Sequence, residues 1–241
     1  SMAVLGADAF CQLRKWNFVE KYADAMVAQT SKTYFYKCIV AVHQGQFEHA
    51  RRFIDEAFLQ LEQTLPSLNE YGGNYNRSYK DLVHIQQLVE LEEVIQYKNA
   101  SLEQQAQFRR MWSDRMKGSE RNVTIWQHIL CVRSLVISPK EDSEVWMEFA
   151  ALCQKAGRQE LSRQVLTQLL DMNPLQLTKS PLTPLPTSNP KLTLACLKHL
   201  YFSGYKQHAF EHLRTFVNSP VLNSSAERSK FYEYHHHHTH H

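Results

Sequence analysis

The sequence predicts an all-α protein, an α-solenoid of helical hairpins of the tetratricopeptide or HEAT type. Three observations carry that expectation. Glycine is scarce, at 7 of 241 residues, while 43% of residues are hydrophobic; a usual glycine share is roughly 7%. No alternating apolar and polar run of useful length marks a strand. A glycine-centred pattern recurs three times, around Gly45, Gly157 and Gly204, as stacked helical pairs require.

Taken in order, Ser1-Met2 resembles a protease scar, so residues 1–3 are set aside. The stretch Phe10 to Tyr22 keeps an aromatic stripe and reads as a repeat without a glycine turn. Lys37 to Ala50 ends one helix, turns at Gly45 and starts another; Phe149 to Ser162 and Cys196 to Ala209 do the same. Five residues after each glycine stands a small residue (Ala50, Ser162, Ala209), nine after an aliphatic one (Ile54, Leu166, Leu213), and twelve after Ala57, Leu169 or Phe216. Before each glycine, Ala41, Cys153 and Leu200, then Cys38, Ala150 and Leu197, form the stripe of the first helix. Small residues let two helix backbones approach where they cross.

Between these hairpins, a helix is expected over Tyr79 to Lys98, carrying Leu82, Ile85, Leu88, Val89 and Ile95, and another over Arg121 to Ile137. Turns are expected at Tyr71-Gly-Gly-Asn, at Gly118-Ser and at Ser138 to Ser143, with Ser143 capping the next helix. Five of the eight prolines fall within Pro174 to Pro190, which excludes an α-helix there. The expected division is helical repeats over 4–174, a proline-rich connector over 175–190, a further repeat over 191–218, and a disordered tail with a His tag over 219–241. The connector reads as a surface link between repeats; its alternative is a docking strip with phosphosites at Ser180-Pro181 or Thr183-Pro184.

The charge balance, 27 basic against 24 acidic residues, demands neither a nucleic-acid partner nor membrane insertion. No run of 18 apolar residues is present. The five cysteines include no C-x-x-C pair, so no disulfide framework or zinc knuckle is written, and they read as buried fillers of an intracellular protein. The four Asn-x-Ser/Thr sequons read as chance matches. His208-Ala-Phe-Glu-His212 puts two imidazoles on one helical face, as an inverted zinc-peptidase motif would, but Ala209 is already explained as the small crossing residue. Trp16, Trp112, Trp126 and Trp146 read as core anchors, and Glu90-Leu-Glu-Glu93 as an exposed acidic face. Arg121, Lys155 and Lys198 fall near helix ends or on helix faces, where stacking could gather them into an anion pocket; the plainer reading is solvated charge.

Leu91 to Lys98, Trp126-Gln-His-Ile-Leu-Cys-Val-Arg-Ser-Leu-Val-Ile-Ser-Pro to Asp142, and Trp146 to Arg158 together resemble the FAT domain of the PI3-kinase-related kinases, within that group the target of rapamycin (TOR) serine/threonine kinases. Generic repeat grammar does not require Val-Arg-Ser-Leu-Val-Ile-Ser-Pro. The resemblance implies a non-catalytic scaffold segment of a very large kinase in nutrient and growth signalling. It implies as partners the parent's own kinase domain and TOR-complex regulatory subunits, with ATP and Mg confined to that kinase domain. The implied location is the cytoplasm, or the cytosolic face of lysosomal or other endomembranes. It also implies a basic pocket for inositol hexakisphosphate at Arg121, Lys155 and Lys198; Glu148 stands where the family tends to carry lysine. The chain itself contains no Asp-Phe-Gly, no His-Arg-Asp and no G-x-G-x-x-G, elements a kinase needs. The alternative reading is a stand-alone tetratricopeptide-type adaptor for a peptide partner.

Overall fold

The computed structural model describes residues 2–3, 6–7, 11, 14–64, 75–179, 184–185 and 189–219. Among them are ten α-helices and no strand: α1 (Trp16–Asp24), α2 (Ser31–His43), α3 (Phe47–Thr64), α4 (Tyr75–Lys98), α5 (Leu102–Gly118), α6 (Val123–Arg133), α7 (Ser143–Lys155), α8 (Gln159–Leu170), α9 (Pro190–Phe202) and α10 (Lys206–Val217). A 3-10 turn, Pro174–Thr178, lies between α8 and α9.

The three glycine turns close in the same way. Gly45, Gly157 and Gly204 take φ of +75, +76 and +99°, a region side chains disfavour. The residue after each glycine donates its N–H five residues back, to Ala41, Cys153 or Leu200 (2.8, 2.8 and 2.9 Å), and each glycine donates three residues back, to Val42, Gln154 or Tyr201. This is a Schellman cap, which satisfies the last carbonyls of the first helix while reversing the chain. The small residues Ala50, Ser162 and Ala209 are buried. At the first crossing the Cys38 thiol donates to the Ala50 carbonyl at 3.3 Å.

The chain divides into two compact units, Ser1–Ser138 and Pro139–His241. In the first, α2 and α3 form the central hairpin; α1 packs on α2, α4 on α3, and α6 and α5 on α4. Its core includes Phe35, Tyr36, Ile39, Ile54, Leu88 and Leu91. In the second, the hairpins α7–α8 and α9–α10 pack through α9, with the 3-10 turn against α8 and α9.

Several boundaries differ from the sequence expectation. Helix α4 begins at Tyr75, four residues early, and Leu82 and Val89 point outward. The face it buries runs through Leu88, Leu91, Val94 and Ile95, a three-and-four spacing from which Val89 lies about 100° away. Helix α5 belongs to no glycine-centred repeat, and its signal is the capping box Ser101-Leu-Glu-Gln104, whose two reciprocal bonds both form. Helix α6 stops at Arg133 rather than Ile137 and unwinds through turns, as the N–H groups of Leu135 and Val136 bond three residues back, to Val132 and Arg133, which tightens the last turn. Asp142, not Ser143, holds the N-cap position of α7.

The first residues of the proline-rich stretch are not a loose link. Leu177 is fully buried, and its carbonyl accepts a hydrogen bond from His212 Nε2 at 3.0 Å. The turn at Tyr71 to Asn74, Ser180-Pro181, Thr183, most of the segment before Arg14 and the tail after Ser219 lie outside the described residues.

Candidate functional site

Among the described residues, the most constrained polar arrangement sits in the first unit, where α4, α5 and α6 meet. Helix α4 turns Glu90 inward with none of its side chain exposed, and α6 turns Arg133 toward it, 4% exposed. Arg133 grips Glu90 with two parallel bonds, Nε to Oε2 at 3.0 Å and Nη2 to Oε1 at 3.1 Å, and donates Nη1 to the Trp112 carbonyl at 3.1 Å. Its guanidinium lies 5.5 Å from the centre of the Trp112 ring. Arg115 of α5 adds Nη1 bonds of 2.6 Å to both Glu90 Oε1 and Glu93 Oε1, and an Nη2 bond of 3.1 Å to Glu93 Oε2. Trp112 Nε1 donates to Glu93 Oε2 at 3.3 Å.

Two guanidiniums thus meet two carboxylates, and the planar fork of arginine matches each carboxylate geometry. The hydrogen bonds to Glu93, set against burial and reinforced by Glu90, hold the Arg115 pKa above its ordinary value. The arrangement leaves no carboxylate oxygen of Glu90 or Glu93 without a guanidinium or indole donor. It clamps three helices.

Glu90 and Glu93 are therefore not part of the exposed acidic face expected from sequence, of which Glu92 alone is exposed. The signal that could have found this clamp is a charge inside an apolar helix: Arg133 follows Ile129, Leu130, Cys131 and Val132, all buried. The same observation gives the Val-Arg-Ser-Leu-Val-Ile-Ser-Pro stretch a physical purpose, since its arginine is the buried partner of Glu90.

The four tryptophans are buried as core anchors. In the His208-Ala-Phe-Glu-His212 stretch, His212 is buried and committed to the Leu177 carbonyl. Among the described residues no group of three His, Cys, Asp or Glu side chains is placed to hold a metal ion. Of the basic residues, Arg121 belongs to the first unit, exposed before α6 with its guanidinium 5.5 Å from the Trp126 ring centre. Lys155 and Lys198 belong to the second. Lys155 ends α7 and is exposed; Lys198 is half-buried on α9, and desolvation pushes its pKa down to about 8. The adjacent residues Gln154 and His199 are joined by a 2.9 Å hydrogen bond, so each lysine lies one residue along its helix from a contact between α7 and α9. Glu148 is exposed on α7, two turns before Lys155.

Comparison with known proteins agrees with this helical, non-catalytic reading. The family model described as the FAT domain matches residues 3–239. The chain is 37% identical over 215 residues to the serine/threonine-protein kinase mTor of Drosophila melanogaster, covering 89% of this chain and 8% of that protein. It is 36% identical over 221 residues to the serine/threonine-protein kinase TOR2 of Saccharomyces cerevisiae, and 34% identical over 220 residues to the serine/threonine-protein kinase tor1 of Schizosaccharomyces pombe, covering 90% of this chain and 9% of each relative. The chain thus spans less than a tenth of the length of these relatives. It belongs to the FAT domain family, in the branch of the target of rapamycin serine/threonine kinases.

Proposed function

We propose that this chain is a scaffold segment of a TOR-like serine/threonine kinase, which braces the kinase domain of its parent and offers surfaces to TOR-complex regulatory subunits in nutrient and growth signalling. The observation that carries this reading is the match to the FAT domain over nearly the whole chain, supported by a polar clamp that fixes helices rather than substrate. ATP and Mg act in the parent's kinase domain, in the cytoplasm or at the cytosolic face of endomembranes. A stand-alone peptide adaptor is separated from this reading by the length of the native reading frame: the scaffold requires continuation into a kinase domain. Phosphotransfer by this chain alone would overturn it.

Lys155 and Lys198 are the sequence neighbours of the Gln154–His199 contact, and we infer that they engage a highly phosphorylated ligand such as inositol hexakisphosphate, through charge-assisted contacts. The expected result is a rise in the melting temperature of tag-free protein on adding inositol hexakisphosphate, since a ligand that binds only the native state stabilises it. The shift shrinks with salt and is lost in Lys155→Glu and Lys198→Glu. Glu148→Lys enlarges it, because Glu148 lies on the same helix face two turns before Lys155. Since the Lys198 pKa is pushed down to about 8, its charge is present below that pH and lost above it, so affinity falls as pH rises through about 8. Arg121→Glu, measured separately, shows whether the first unit contributes. An equal shift in Lys155→Glu would reduce these lysines to solvated charge.

A further inference from the structure

Cys11 and Cys131 are 120 residues apart in sequence, yet they line one small cleft of the first unit together with Gln87 and His128. The Cys131 thiol donates to the Cys11 carbonyl at 2.9 Å, which sets the two residues side by side. His128 stands one turn before Cys131 on α6. Its Nδ1 donates to the Thr124 carbonyl at 2.7 Å, which leaves Nε2 as the basic nitrogen of the neutral ring. Arg14 follows Cys11 by three residues and is held at a φ of +57°, an uncommon conformation for a side chain this large. Its Nη2 donates to the Ser134 carbonyl and its Nε is buried without a hydrogen-bond partner; burial lowers its pKa, and the nearby Cys131 partly offsets that. One thiol thus has a second thiol, a base and a cation with a spare donor around it.

All five cysteines are buried, and what sets Cys11 and Cys131 apart is the cleft they line together. Burial pushes the Cys38 thiol far up, and those of Cys153 and Cys196 up to about 12, so their reactive thiolates are suppressed.

We propose that Cys11 and Cys131 form an oxidation site for hydrogen peroxide, with Cys131 reacting first and Cys11 resolving it. His128 Nε2 takes the Cys131 proton and the Arg14 guanidinium stabilises the thiolate. The sulfur attacks one peroxide oxygen and the O–O bond breaks. Cys131 becomes a sulfenic acid, and the departing hydroxide takes the proton from His128 and leaves as water. The Cys11 sulfur then attacks the sulfenic sulfur, the S–O bond breaks, and a second water leaves with the Cys11 proton. Two thiols have lost two electrons and two protons, and one peroxide has become two waters. The resulting disulfide adds a covalent tie between Cys11 and α6, which the Cys131–Cys11 and Arg14–Ser134 hydrogen bonds already join.

The test is peroxide titration of the purified chain, with dimedone trapping of sulfenic acid and non-reducing peptide mapping. Cys131 should be oxidised on the order of tenfold faster than Cys38, Cys153 or Cys196, and a Cys11–Cys131 linked peptide should follow. Cys11→Ser should stop at the dimedone adduct of Cys131, and His128→Gln should slow Cys131 without changing the other rates. Circular dichroism confirms that each variant retains its helices, and the rate comparison among the five cysteines needs no variant at all. Equal oxidation of all five, or a Cys131 sulfenic acid in the unaltered chain that never links to Cys11, would overturn the proposal.

Discussion

Replacing Arg133 with Met lowers the unfolding free energy of the first unit by about 3–5 kcal/mol, the range for removing one partner of a buried ion pair. The cause is what the substitution leaves behind. Glu90 has no solvent to turn to, and after the change it keeps Arg115 but loses its two-bond partner; the Trp112 carbonyl loses its donor as well. Combining Arg133→Met with Glu90→Leu restores most of the loss, because a buried pair replaced by apolar side chains of similar volume is often neutral. Arg115 keeps Glu93 in that double variant. Urea unfolding followed by circular dichroism measures both. A double variant no more stable than the single one would show that the clamp is not the source of the loss.

Leu200→Ala should cost about 2–5 kcal/mol in the second unit, as truncation of a fully buried leucine leaves a cavity that neighbours fill only in part. Leu200 is wholly buried and sits at the repeat position held by Ala41 and Cys153 in the other hairpins, where the carbonyl accepts the capping N–H. Leu200→Cys, which places there the residue of the preceding hairpin, should cost less than the alanine. Thermal unfolding of the two variants checks the order; equal losses would mean that cavity size does not set the cost at this position.

What could be read from the sequence was whatever the local chain dictates. The hairpin turns were legible because a left-handed capping residue nearly requires glycine, and Ala50, Ser162 and Ala209 were legible because a helix crossing excludes bulk. The clamp was not. Glu90 and Arg133 lie on different helices 43 residues apart, and a charged residue met singly reads as solvated. Periodicity also could not choose between two overlapping faces of α4: Leu82 and Val89 fit one stripe, but Glu90 and Leu91 face inward where α3, α5 and α6 pack. Helix α5 was hidden because its apolar content is low and its start is written in a capping box rather than in a repeat.

The basic residues show the same limit in another form. Lys155 and Lys198 were singled out by resemblance, and the structure adds what the sequence lacked, a hydrogen-bonded contact between their neighbours and a half-buried lysine with a lowered pKa.

A segment that works as the proposed brace makes its rigidity felt by the kinase domain of its parent. The direct measurement is phosphotransfer by the parent kinase carrying Arg133→Met, assayed with varied ATP beside the Glu90→Leu/Arg133→Met double variant. The brace predicts that the single variant loses turnover steeply with temperature while KM for ATP is unchanged, and that the double variant recovers it. Full turnover in the single variant, at a temperature where the isolated chain with the same change has lost its first unit, would contradict the brace.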